Sequence, residues 1–220
     1  MGKSYSSLTH FDKNCQYHIA EVIFLYYYDK IMDEKPQVIL ITGPKHCGKS
    51  SVTFALRHFI KCRSGDLDSI IEKRTGKTPR ELYLESPDIF KIEEAAKLAF
   101  ILKKEAKNCK AEPLILATGG GIIDNHKAIK LIKNQPGLFV VYLEISAKSA
   151  WSRIKKTPNN MPAYLLKKSN PEALHRIIHE TRAIKYRKLA DITIDANNKT
   201  SVEIANEIIT QTGFTMRHNV

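Results

Sequence analysis

Between the aliphatic run Val38-Ile39-Leu40-Ile41 and an amphipathic stretch from Ser51 to Ile60 stands the segment Gly43-Pro44-Lys45-His46-Cys47-Gly48-Lys49-Ser50. It matches GxxxxGK[ST], the pattern of a phosphate-cradling loop. The context that gives the pattern meaning is present: an apolar run of buried-strand type in front, and Val52, Ala55, Leu56, Phe59 and Ile60 at helical spacing behind. Glycines let such a loop curl, so that successive N–H groups and the start of the following helix face a polyphosphate. The expectation is a nucleoside triphosphate (ATP) site contacted by Gly43, Pro44, Lys45, His46, Cys47, Gly48, Lys49, Ser50 and Ser51. Lys49 would reach the β- and γ-phosphates, and the Ser50 hydroxyl would bind Mg²⁺. Cys47, beside Lys49 and near a helix start, sits where a thiol can be activated, with a buried, inert thiol as the alternative.

The rest of the chain repeats the strand–helix alternation of a parallel α/β sheet. Strands are expected at Val38–Ile41, in a short segment ending near Cys62, and at Pro113–Ala117, Leu138–Ile145 and Ile192–Ile194. Helical periodicity covers Ile89–Asn108, Asn125–Lys133, Ala147–Lys156, Pro171–Leu189 and Ser201–Thr210. Two segments break the rhythm. Residues 1–35 carry an amphipathic stretch with Ile19, Val22, Ile23 and Tyr26 on one side, which reads as a helical extension ahead of a domain at 36–220. Turn formers cluster from Thr157 to Pro171, flanked by Lys155, Lys156, Lys167 and Lys168. This segment, about 155–170, reads as a lid over the nucleotide or as an exposed connection.

With 220 residues and 43% hydrophobic content, the chain has ample material for a buried core. Its four cysteines lack CxxC spacing, which points to reduced thiols and a cytoplasmic setting rather than a disulfide framework or zinc site. No secretory signal is visible, and the longest apolar run, Val22–Tyr28, is too short to span a bilayer. The net charge of +12 suits an anionic substrate. Its lysines are scattered over helix surfaces without interleaved aromatics, so a solvated face is favoured over a nucleic-acid groove.

Asp66-Leu67-Asp68 follows the second strand and opens a helix. Two alternating acids beside a phosphate loop can divide labour, one holding the Mg²⁺ hydration shell and the other orienting a substrate hydroxyl and accepting its proton. Taken alone, the pair is read in favour of helix capping, for which aspartate is a preferred residue. Thr118-Gly119-Gly120-Gly121, at a strand's carboxyl end, removes side chains from one wall of the site. His175 and His179 read as an exposed helix face, and Trp151 as core.

This ordered set resembles the shikimate kinase family over roughly residues 37–212. The matching segments are the phosphate loop, Asp66-x-Asp68-x-x-Ile71-Glu72, Phe90-Lys91-x-x-Glu94, Gly119-Gly120-Gly121, Met161-Pro162, and Arg182-x-x-x-Tyr186 with Ala190-Asp191. The resemblance implies a P-loop nucleotide-kinase fold, three-layered, with a five-stranded parallel sheet in the order 2-3-1-4-5. It also implies ATP- and Mg²⁺-dependent phosphorylation of shikimate or a similar hydroxy acid. Lys49 and Asp68 would be catalytic, and Asp66 would join Ser50 at the metal. Asp68, Lys91, Gly119, Gly120, Gly121 and Arg182 would bind the substrate, Arg182 through its carboxylate. The family carries arginine where this chain has Lys91 and Met161. Lysine offers a point charge instead of a planar fork, and Lys155 and Lys156 are the candidate replacements at the ATP phosphates. A Lys91–Glu94 contact is expected to organise the substrate wall. A gluconate-like acceptor and a catalytically weak ATP-binding module remain alternatives. The protein is expected to be a monomer, or a homodimer through its N-terminal extension, with no nucleic-acid or membrane partner.

Overall fold

A central strand that is buried at every position must be covered on both faces. That requirement organises the computed structural model, which describes residues 35–105, 112–157 and 161–217. Strand β1 (Val38–Thr42) is buried throughout and pairs in parallel with β3 (Leu114–Ala117) on one side and β4 (Leu138–Glu144) on the other. β2 (Arg63–Asp66) and β5 (Ile192–Asp195) complete a five-stranded sheet in the order β2-β3-β1-β4-β5, with every pairing parallel. The expected strand order is the observed one. Parallel neighbours need crossover connections, and here these are helices.

The two-residue period of β1 divides the core. Ile39 and Ile41 face one layer, where α1 (Lys49–Phe59) and α8 (Ser201–Thr212) contribute Val52, Leu56, Ile204 and Ile208. Val38 and Leu40 face the other. There α2 (Leu67–Thr75), α4 (Pro87–Glu105) and α5 (His126–Lys133) bury Leu67, Ile71, Leu98, Leu102 and Ile132. A smaller cluster, Trp151, Ile154 and Leu165, joins α6 (Ala147–Lys156) to the 3₁₀ turn at Ala163–Leu165, where Met161 and Tyr164 pack against it. α7 (Pro171–Leu189) opens with Asn170 capping the Ala173 N–H and proline in its first turn.

Two features differ from the sequence expectation. The second strand lies at Arg63–Asp66, not before Cys62, so Asp66 is its last residue. Arg-Ser-Gly-Asp carries no apolar signal because this edge strand is only partly buried. Its placement is helped by Arg63, which forms a two-pronged ion pair with the buried Glu105 and donates to the Glu112 carbonyl. The second difference is α3 (Pro79–Glu85), a seven-residue helix with a Thr78–Glu81 capping box, too short to show a period. The N-terminal extension, and self-association through it, fall on residues 1–34, outside the described set, as do residues 158–160 of the lid segment. Among the described residues, no helix is long and apolar enough to cross a membrane.

Leu56 is fully buried in the core layer shared by Ile39, Ile41 and Cys47. Leu56→Ala should cost about 2–5 kcal/mol, read as a lower urea midpoint with an unchanged m-value.

Candidate active site

The phosphate loop leaves β1 and ends where Lys49 starts α1. Lys49 Nζ donates to the carbonyls of Gly43 (3.0 Å) and Pro44 (2.8 Å), so its ammonium stands inside the curl of the loop. Ser50 and Ser51 are exposed at the first turn of the helix. Cys47 is 2% exposed and packed into the core. The expected reactive thiol is thus shielded, and the inert alternative fits the packing.

Beside the loop opens a cavity of ≈ 230 Å³. Lys45, Asp68, Lys91, Gly119–Gly121 and Arg182 all line it. These residues come from the phosphate loop, the start of α2, α4, the turn after β3, and α7. The glycines are spatial necessities. A Cβ on Gly119 would lie 2.7 Å from Asp68 Oδ1, and one on Gly120 would lie 2.8 Å from Lys45 N. Their absence lets the β3 turn press against both Asp68 and the phosphate loop.

Asp66 and Asp68 separate in role. Asp66 caps α2, accepting from the Ser69 N–H at 3.1 Å, so the capping reading holds for this residue. Asp68 does not cap; its Oδ1 is buried and accepts no hydrogen bond. Burial first, then the Asp66 charge, push its pKa up to about 6 against the pull of Lys49 and Lys45. A buried, unpaired carboxylate facing a cavity marks a candidate functional group.

At the far wall, Arg182 is 19% exposed and fixed on three sides. Its Nε donates to Asp124 Oδ2 at 2.7 Å, its Nη1 to the Gly120 carbonyl at 3.3 Å, and its guanidinium lies 5.1 Å from the Tyr164 ring centre. Asp124 also pairs with Lys185 at 2.7 Å. Burial opposes its charge, but the hydrogen bonds from Lys185 and Arg182 prevail and hold it below its usual value. Glu94, 1% exposed, is held by Asn125 rather than by the expected Lys91 side chain. Asn125 Nδ2 donates to Glu94 Oε2 at 2.9 Å and to the Lys91 carbonyl at 2.8 Å. Burial raises the Glu94 pKa to about 7, with the Asn125 bond acting against it.

His175 and His179 correct the sequence expectation. They are 3% and 6% exposed, line the cavity, and pack in series with Trp151 as tilted ring contacts. The His179 Nε2–H donates to the Ile145 carbonyl at 2.8 Å. Burial, then His179 and Arg182, lower the His175 pKa to about 4, so it is neutral at pH 7. Lys155 and Lys156, expected at the phosphates, are exposed at the end of α6. One turn earlier, Arg153 Nη1 donates to the His46 carbonyl at 2.8 Å, tying α6 to the phosphate loop. Sequence reasoning missed Arg153, Asp124, Tyr164 and Arg80, all but the first in the cavity wall. Asp124 has a faint signal in the sequence, three residues after the last glycine of the triple.

The shikimate kinase family model matches residues 45–212. The shikimate kinase of Shewanella amazonensis is 29% identical over 184 residues, covering 83% of this chain and all of that protein. Among solved structures, the shikimate kinase of Acinetobacter baumannii in complex with shikimate superposes with a TM-score of 0.68 at 27% identity, covering 82% of this chain and 94% of that one. The shikimate kinase of Bacteroides thetaiotaomicron shares the fold, with a TM-score of 0.61 at 23% identity over 79% of this chain and 98% of that one.

The packing yields two predictions. Gly120→Ala meets backbone, whereas a Cβ at Gly121 has its nearest neighbour, Arg182 Nη2, at 3.6 Å. The first should therefore cost about 1–3 kcal/mol, and the second should melt like the wild type. Asp68 has its pKa raised on folding, so its anion opposes folding fully above about pH 6 and not at all below its unfolded value near 4. Asp68→Asn should therefore stabilise the nucleotide-free protein by about 1–3 kcal/mol at pH 7.5. Thermal melts should show that gain disappearing by pH 4.

Proposed function

The chain belongs to the shikimate kinase family, and from that premise we propose that it transfers the γ-phosphoryl group of ATP to a hydroxyl of shikimate. The carrying observation is the cavity itself. One enclosure joins the phosphate loop, an unpartnered buried carboxylate and a fixed guanidinium, the three functions such a transfer needs. In this reading the backbone of Gly43–Ser50 and Lys49 hold the ATP phosphates, and Lys49 neutralises charge on the group in transit. Asp68 orients the acceptor hydroxyl and takes its proton. Arg182, presented by Asp124 and Tyr164, grips the acceptor carboxylate, with Lys91 supplying a second positive charge.

Ser50 and Asp66 fit a magnesium ion held chiefly by substrate phosphates, since among the described residues no cluster of three or more His, Cys, Asp or Glu side chains would hold a metal alone. Bound there, magnesium would neutralise phosphate charge during transfer. The buried free thiols of Cys47 and Cys62 suit the reducing cytoplasm as the setting. Lys91 and Met161 in the cavity wall favour one second reading, a related carboxylated polyol such as gluconate as acceptor.

An ATP-consumption assay over shikimate and gluconate decides between the acceptors. Shikimate should turn over, and Lys49→Ala should reduce that rate by about 10²–10³-fold with the fold intact. Turnover of gluconate alone would replace the acceptor; a Lys49→Ala variant with normal rate would remove the nucleotide site.

A further inference from the structure

Arginine and a carboxylate commonly pair through two parallel hydrogen bonds. Asp124 makes only one of them with Arg182. Its Oδ2 accepts from Arg182 Nε at 2.7 Å, while its Oδ1 accepts from Lys185 Nζ, also at 2.7 Å. The guanidinium therefore keeps its other edge. Nη1 reaches the Gly120 carbonyl at 3.3 Å, and Nη2, beside Gly121, donates no hydrogen bond among the described residues. Lys185 follows Arg182 by three residues on α7, a spacing that puts both side chains on one helix face and within reach of the same carboxylate.

One carboxylate is thus divided between two cations. Were both Asp124 oxygens on Arg182, the fork that an incoming carboxylate needs would already be filled. We propose that Lys185 is a positioning residue of the acceptor site. By holding one oxygen of Asp124, it keeps that side chain from closing a two-pronged pair on Arg182 and reserves the Nη edge for the acceptor carboxylate.

The surroundings leave little else to decide whether the fork is open. Arg182 cannot easily retreat, because the Tyr164 ring lies 5.1 Å from its guanidinium and the Gly120 carbonyl holds Nη1. Asp124 cannot move away as a unit, because its backbone N–H donates to the Gly121 carbonyl at 3.0 Å and closes the 3₁₀ turn. What remains free to change is the rotation of the Asp124 carboxylate, and Lys185 fixes it. Arg182 and Asp124 line the cavity, whereas Lys185 does not, so its action on a ligand there passes through Asp124. Charge points the same way. Two cations share one anion, and the group stays positive; without Lys185, Arg182 and Asp124 would cancel.

This role rests on the reading of Arg182 as the acceptor's carboxylate ligand, and one of the two measurements below is independent of that reading. The first is shikimate affinity by calorimetry, with kcat and both KM values in turnover. Lys185→Gln should weaken shikimate binding by about 3–5-fold, the scale of a half-exposed ion pair, at unchanged kcat and ATP KM. Lys185→Arg should restore it. Asp124→Asn, which loosens Arg182 itself, should weaken binding by about 10-fold. In that background Lys185→Gln should add nothing, since the group it acts on is gone. A separate loss in the double variant would mean that Lys185 draws the acceptor by charge alone, and it overturns the positioning role. A Lys185→Gln variant that binds shikimate normally, or that loses ATP affinity in equal measure, overturns it too. The second measurement is a crystal structure of Lys185→Gln without acceptor, in which Asp124 Oδ1 should move onto Arg182 Nη2. A carboxylate that stays one-pronged there refutes the role. If the wild type binds neither shikimate nor gluconate, the acceptor reading fails, and the crystal structure still decides whether Lys185 holds Asp124 off the fork.

Discussion

The site depends on how closely the carboxyl ends of β1 and β3 meet. The Thr118 N–H continues the β1–β3 ladder, donating to the Ile41 carbonyl at 3.1 Å, and the next two residues have no side chain to hold the strands' loops apart. With Gly119 against Asp68 and Gly120 against Lys45, three consecutive strands of the sheet (β2, β3 and β1) deliver their loops to one point. Ligand sites in open parallel sheets gather outside the carboxyl ends of the strands. Here the gathering is enforced by contact distances that a single methyl group would violate.

That convergence concentrates charge where burial makes charge costly. Asp68 and Glu94 both sit in the cavity wall with an unpartnered oxygen, and burial raises the pKa of each. Neither arrangement favours folding, whereas Arg63–Glu105 and Arg182–Asp124 are paired and hydrogen-bonded in the ordinary way. The asymmetry separates scaffold from chemistry. Paired ions position β2 and α7, whereas Asp68 and Glu94 each keep one buried oxygen without a hydrogen bond. Stability given up at such points is a common cost of a preorganised site.

The central sheet is legible because β1, β3 and β4 are predominantly apolar runs, and the phosphate loop because its spacing is set by backbone geometry. The strand order and the family came from the ordered motifs together, not from any one of them. What escaped detection did so for physical reasons. β2 is a half-exposed edge strand of polar residues, and α3 spans only two turns. His175 and His179 looked like a polar stripe at helical spacing, yet they are buried against Trp151 by the aromatic layer under the 163–165 turn, a tertiary fact with no local signal. Lys155 and Lys156 stand out in the sequence only as charge beside the turn formers that begin at Thr157. The helix instead turns Arg153 to the loop, because Ala150, Trp151 and Ile154 fix which face is buried. Arg80 and Asp124 gain meaning only when distant segments close around one cavity.

The opposed walls of that cavity also account for how lysine can stand at position 91. Arg182 is held by Asp124, by the Gly120 carbonyl and by the Tyr164 ring, and Gly121 leaves space beside its Nη2. A guanidinium fixed on three sides presents its remaining donors in one direction, which supplies the planar recognition a carboxylate needs. Lys91 has its backbone anchored through Asn125, which ties it to Glu94, while its half-buried side chain brings a point charge to the cavity wall. Orientation thus comes from one rigid partner, and the second contributes charge without imposing geometry. Under the proposed reading, a site built this way would keep a preference for an anionic acceptor while relaxing the demand on the acceptor's exact outline. In that property such a site would differ from a two-arginine clamp, because lysine offers a point charge where arginine offers a planar fork.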